Sequence, residues 1–112
     1  MAAKFEIKKS ANGQFMFNLK AANGEVILTS ETYSQKRSAE QGIASVKSHA
    51  SDDSGFERKT AKDGSPYFVL KAKNGEIIGK SEMYSSVAAM ENGIASVVKN
   101  AAEAEIVDTA AA

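Results

Sequence analysis

The chain is written twice. Phe5-Glu6 recurs as Phe56-Glu57, Phe17-Asn18-Leu19-Lys20-Ala21 as Phe68-Val69-Leu70-Lys71-Ala72, and Asn23-Gly24-Glu25 as Asn74-Gly75-Glu76. Ser30-Glu31-Thr32-Tyr33-Ser34 returns as Ser81-Glu82-Met83-Tyr84-Ser85, and Gly42-Ile43-Ala44-Ser45-Val46 as Gly93-Ile94-Ala95-Ser96-Val97. Every pair keeps one interval, about 51 residues, and about half of the paired positions are identical, so the chain is an internal duplication. A unit of roughly 50 residues without disulfide or metal sits near the lower limit for folding alone. Two units packed together bury more apolar surface per residue. The expectation is therefore one pseudo-two-fold domain, the covalent counterpart of a symmetric dimer. Repeat one spans 4–50, repeat two 55–101, and a closing strand 103–109; the polar stretch Ser51-Asp52-Asp53-Ser54-Gly55 reads as a short connection.

Each unit reads as three strands and a helix. Phe5 and Ile7 alternate with charges, which marks a half-buried strand. Phe15, Phe17 and Leu19 share one face of a second strand, and Glu25 to Thr29 form a third. Asn12-Gly13, Asn23-Gly24, Asp63-Gly64 and Asn74-Gly75 join them; this dipeptide suits hairpins whose two central residues both take positive φ. The single proline, Pro66, stands where Phe15 stands in the first unit, so it opens a strand or lies on an edge. Ala39, Ile43, Val46 and Ala50 lie along one helical face, matched by Met90, Ile94, Val97 and Ala101, with Ser34 and Ser85 expected as N-caps. Gly42 and Gly93 each cost about 1 kcal/mol inside a helix, which points to close approach by the sheet or by the symmetry mate.

The last segment, 104–109, aligns with the start of the second unit, so each unit is closed by a further strand. The fold class is α+β: two tandem β-β-β-α(-β) repeats forming a single antiparallel sheet, with exchanged closing strands and two helices packed on it.

These motifs together resemble the YegP-like family of small bacterial proteins of unknown function. The resemblance rests on F-x-L-K-A-x-N-G-E at 68–76, S-E-x-Y-S at 81–85 and N-G-I-x-S-V at 92–97, with a near-complete set in the first unit. The first unit departs at Gln41 and Leu28, where the second has Asn92 and Gly79. The resemblance implies two three-strand-plus-helix units in one sheet with strand exchange. It implies no activity.

Composition narrows the function. Fourteen basic residues balance fourteen acidic ones, so no net field draws the chain to nucleic acid or membrane. The chain has no cysteine, no apolar leader and no apolar run of about 20 residues, which points to a soluble cytoplasmic protein. No catalytic constellation, metal-ligand spacing or cofactor loop is present, and the reading is not an enzyme. His49, the one histidine, corresponds to Asn100 in the second unit, so it has no symmetric catalytic role.

The candidate binding residues are Ser30, Glu31, Tyr33, Ser34, Ser81, Glu82, Tyr84 and Ser85, at the two strand-to-helix junctions. A helix N-terminus there would suit a small anion; capping, backbone bonding and corner filling explain the same residues structurally. The leading reading is a non-enzymatic interaction or accessory module with a protein partner. The alternatives are a nucleic-acid-binding module on a basic strand face (Lys8, Lys9, Lys20, Arg58, Lys59, Lys62, Lys71, Lys73, Lys80) and a small-anion binder at the junctions.

Overall fold

The computed structural model describes residues 3–50, 55–73 and 75–109; the connection over 51–54, the turn residue at 74 and the Ala-rich end from 110 lie outside them. The elements run β1 (Lys4–Lys9), β2 (Phe15–Lys20), β3 (Val26–Thr29), α1 (Lys36–His49), β4 (Phe56–Thr60), β5 (Pro66–Lys71), β6 (Ile77–Lys80), α2 (Val87–Ala101) and β7 (Glu105–Asp108). They form one seven-stranded sheet, ordered β4-β5-β6-β3-β2-β1-β7, and both helices pack on it.

The sheet is mixed, not wholly antiparallel: β7 lies parallel to β1. The duplication explains the exception. β4 leaves α1 and pairs antiparallel with β5, the central strand of the other unit. β7 leaves α2 and heads correspondingly for β2, but β1 already occupies that edge. β7 therefore adds outside β1. Both strands run against β2, so they run with each other. Strand exchange holds for β7, and the first unit's closing strand is β4 itself.

The hairpins are also built differently from the expectation. Among the described residues only glycines have positive φ: Gly13, Gly24, Gly64 and Gly75, at 83° to 88°. Each glycine N–H donates to the carbonyl three residues back, as from Gly13 to Ser10 at 3.0 Å and from Gly64 to Ala61 at 2.9 Å. Asn12, Asn23 and Asp63 before them do not take positive φ, and their side chains do the other half of the work. Asn12, Asn23 and Asp63 Oδ1 accept from the amide two residues on, at 3.2, 3.0 and 3.0 Å. These loops are ordinary turns closed by a left-handed glycine, so Asn or Asp is required for its side chain.

Alternation sends Phe5, Ile7, Phe17, Leu19, Phe56, Phe68 and Leu70 toward the helices, where all are buried with Ile43, Val46, Ile94 and Val97. An aromatic ladder repeats in each unit. Phe5 meets Phe17 edge-on at 5.9 Å and Phe17 stacks with Tyr33 at 6.4 Å; Phe56–Phe68 and Phe68–Tyr84 repeat this at 5.5 and 6.2 Å. Pro66 opens β5.

The seam between units is thin. β3 and β6 pair only through Thr29 opposite Lys80. The helices bridge it: α1 touches β2 of its own unit and β5 and β6 of the other, while α2 touches β5 and β3. Leu28 also crosses the seam. A Cβ at Gly79 would lie 2.6 Å from Leu28 Cδ2. Gly79 is the repeat equivalent of Leu28, so one leucine fills a space that two could not share.

Candidate functional site

The serines of the two S-E-x-Y-S segments have structural duties. Ser30 Oγ accepts from Phe17 N at 2.8 Å and donates to Glu31 O at 2.7 Å. Ser81 Oγ accepts from Phe68 N at 2.9 Å and donates to Glu82 O at 2.8 Å. Both are buried where β3 and β6 end, and each replaces a ladder bond as the chain turns away. Ser34 and Ser85 are exposed and cap nothing. The N-caps fall one residue later, at Gln35, whose side chain makes no capping bond, and at Ser86, whose Oγ accepts from Ala89 N at 3.1 Å. The reason is upstream: Tyr33 is held extended by a bridge to Phe15, with N–H···O bonds of 2.6 and 2.7 Å. Helical turning starts only after the chain leaves that bridge.

Tyr33 and Tyr84 answer the helix glycines. A Cβ at Gly42 would lie 2.6 Å from Tyr33 Oη, and at Gly93 it would collide still more closely with Tyr84 Oη and approach its Cζ to 2.7 Å. The close approach foreseen for these glycines is therefore made by the tyrosine of the same unit. Burial is the larger reason both phenols titrate above the ordinary tyrosine value. Glu31 and Glu76 add to it at Tyr33, and Glu82 and Glu25 at Tyr84.

Those carboxylates show how the units are assembled. Glu25, in the β2–β3 turn of the first unit, comes beside Tyr84 of the second; Glu76 does the same for Tyr33. A cavity of about 220 Å³ opens where the first unit's turn meets the second unit's helix, lined by Asn23, Glu25, Tyr84, Asn92, Gly93 and Ser96 with Ala21, Ile27 and Ala89. All three repeated motifs meet there, two from one unit and one from the other. Of the eight junction residues expected to bind, only Tyr84 lines it, while Ser30, Glu31 and Ser81 line a separate groove along the seam between β3 and β6. Asn23, Glu25, Asn92 and Ser96 were not singled out from sequence. Their signal was recurrence, since Asn-Gly-Glu and Gly-Ile-Ala-Ser-Val occur in both units, but nothing linear shows that one unit's turn reaches the other's helix. The same carboxylates weigh against an anion at the junctions.

The basic strand face is largely neutralised. Glu6 lies between Lys20 at 2.9 Å and Lys8 at 3.4 Å, and Glu57 lies between Lys71 and Lys59, both at 2.9 Å. Hydrogen bonding from Lys20 is the main reason the Glu6 carboxyl titrates below the usual range, and Lys71 does the same for Glu57. Arg58 forms a bidentate pair with Glu91 of α2, at 2.7 and 2.9 Å. Lys80 lies over the Tyr67 ring at 5.1 Å, beside a groove of about 330 Å³ that follows the thin seam. His49 is a tie between elements: Nδ1 bonds Ser45 O at 2.8 Å and Nε2 accepts from Lys73 N at 3.3 Å. Among the described residues no cluster of His, Cys, Asp and Glu could hold a metal, and no helix is long and apolar enough to cross a membrane.

Fold and site together define a class: a duplicated sheet-and-helix module in which one repeat's turn closes a cleft on the other repeat's helix. The chain belongs to the family described as domain of unknown function DUF1508, whose model matches it twice, at residues 10–57 and 61–108. It is 58% identical over 104 residues to the UPF0339 protein YegP of Yersinia pestis, covering 93% of each chain. It is 52% identical to YegP of Escherichia coli K12, covering 96% of this chain and 98% of that one. The solution NMR structure of E. coli YegP superposes with a TM-score of 0.94 at 50% identity, covering 100% of this chain and 97% of the other. UPF0339 protein SO3888 of Shewanella oneidensis gives 0.92 at 49% identity, covering 98% and 93%. The relatives carry no assigned activity in their names.

Proposed function

We propose that this chain is a non-enzymatic binding module, an accessory protein that recognises its partner through the cross-repeat cleft. The observation that carries the reading is the use to which the reactive-looking groups are put. Both buried serines bond backbone, both phenols pack under a helix, and His49 spends both ring nitrogens on main-chain groups. What remains is a shaped cleft assembled from both units, with apolar walls and a few polar groups, which suits recognition more than bond breaking. A protein partner and a cytoplasmic setting belong with this reading, the latter because a cysteine-free chain suits a reducing compartment.

The test is a turnover screen across hydrolase, transferase and oxidoreductase substrates, run beside thermal-shift measurements with a metabolite and peptide panel. The expected result is no turnover and at least one compound that raises Tm by mass action. Turnover that disappears in Tyr33→Phe or Tyr84→Phe would overturn the reading.

A further inference from the structure

The cleft at Tyr84 has a definite chemistry. Its wall carries one carboxylate, Glu25, and no lysine or arginine. Glu25 N donates to Asn23 Oδ1 at 3.0 Å, which fixes the Glu25 backbone in the turn, and Asn23 Nδ2 approaches Glu25 Oε1 at 3.4 Å; among the described residues the other carboxylate oxygen has no partner. The Tyr84 hydroxyl makes no hydrogen bond among the described residues, and Asn92 is exposed on the α2 side of the cleft. The cleft thus offers three oxygens, from Glu25, Tyr84 and Asn92, around small apolar walls made by Ala21, Ile27 and Ala89. Three acceptors with one negative charge match the three N–H donors of a primary ammonium, and the apolar walls match an alkyl stem.

Resting on the binding-module reading above, we infer that the cross-repeat cleft formed by Asn23, Glu25, Tyr84, Asn92, Gly93 and Ser96 binds an alkylammonium group, the chemistry shared by a lysine side chain and a free aliphatic amine. In the other half of the repeat, Glu76 acts on Tyr33 beneath Gly42 as Glu25 acts on Tyr84 beneath Gly93. Charge explains the sign: Glu25 and Glu82 both act on Tyr84, so the field at the cleft is negative and favours a cation. The helix glycine explains the position, because only a residue without Cβ leaves the phenol oxygen in place beneath α2.

The experiment is an amide-resolved NMR titration of the full chain with n-butylammonium chloride. Tetramethylammonium chloride supplies charge without N–H groups, and sodium acetate supplies the opposite sign. The expected result is saturable shifts of the Tyr84, Gly93 and Ser96 amides with butylammonium alone. Glu25→Gln should weaken this site about tenfold or more, the loss of one charge-assisted hydrogen bond. Asn92→Asp, at an exposed helical position, should tighten it. Absence of butylammonium shifts at Gly93 and Ser96, or shifts unchanged in Glu25→Gln, would overturn the inference, as would an equal response to acetate. A capped Gly-Lys-Gly peptide distinguishes the source: stronger binding than butylammonium assigns the site to a protein lysine, weaker binding to a free amine, and both outcomes support the cleft. Failure here leaves the module reading intact, since only turnover lost with the tyrosines removes that one.

Discussion

The two repeats share a fold but not a balance of forces. The first unit sends Leu28 across the seam, and the second answers with Gly79. The first has Phe15, whose N–H closes a two-bond bridge with Tyr33; the second has Pro66, which accepts from Tyr84 N at 2.8 Å and donates nothing. The second has a capping serine where the first has Gln35. The first has His49 reaching the other unit's turn where the second has Asn100, whose Nδ2 stays within its own helix on Ser96 O at 2.8 Å. A dimer of identical units must place the same residue on both sides of its axis. Duplication removes that restriction, and Leu28 against Gly79 and His49 against Lys73 use it where the units meet.

The sharpest way to break this comparison is to restore symmetry at the seam. Gly79→Leu puts two leucines into one space and should destabilise by about 3 kcal/mol or more, while Leu28→Gly leaves a cavity costing about 2–5 kcal/mol. The double exchange, Leu28→Gly with Gly79→Leu, should recover much of the loss in urea melts. A stable Gly79→Leu single variant would show that the seam is not packed this way.

Next come the helix glycines. Alanine is the better helix former by about 1 kcal/mol, yet Gly93→Ala and Gly42→Ala should both lower Tm because the new methyl meets a tyrosine. The loss should be larger at Gly93, where the Tyr84 ring carbon as well as its oxygen is too near. Tyr33→Phe should rescue Gly42→Ala more fully than Tyr84→Phe rescues Gly93→Ala. Equal effects at the two sites would remove this asymmetry between the units.

The lysine-flanked glutamates differ more gently. The Glu6 side chain is 13% exposed and Glu57 43%, so Glu6→Gln should lower neutral-pH stability more than Glu57→Gln. Both carboxyls titrate below their unfolded value. Their contribution is therefore complete above the unfolded carboxylate pKa and is lost as pH falls through the lower folded value. Melts between neutral and acid pH should show the variants converging on the parent chain. The smallest effect is at the caps: Gln35→Ser should stabilise and Ser86→Gln destabilise, each by about 0.5–1 kcal/mol.

Much of this architecture was legible in the chain. The alternation of Phe5 and Ile7, the four turn dipeptides and the apolar stripes of both helices placed every element, and the 51-residue offset announced the pseudo-symmetry. The misreadings have local causes. Serine favours the cap role at Ser34 and Ser85, but the chain stays tied to the sheet up to Tyr33 and Tyr84, by the two-bond bridge to Phe15 in the first unit and by the single bond from Tyr84 N to Pro66 O in the second. The turns were given two positive-φ residues because Asn-Gly favours that form, but the asparagine side chain takes the next amide. The candidate site was only half visible: Tyr84 was singled out, while Glu25 and Asn23 were read as turn residues.

The sequence alone determined that there are two units, what each contains, which faces are apolar, and that Gly42 and Gly93 must be approached closely. Those are consequences of periodicity and backbone sterics, which act over a few residues. The tertiary structure decided which unit completes which. It placed β7 outside β1 and parallel to it, because β1 already holds the edge of β2. It set Leu28 against Gly79, and it brought the Asn23–Glu25 turn of one unit to the Tyr84 helix junction of the other. Such choices depend on which surfaces compete for the same space after the strands have formed.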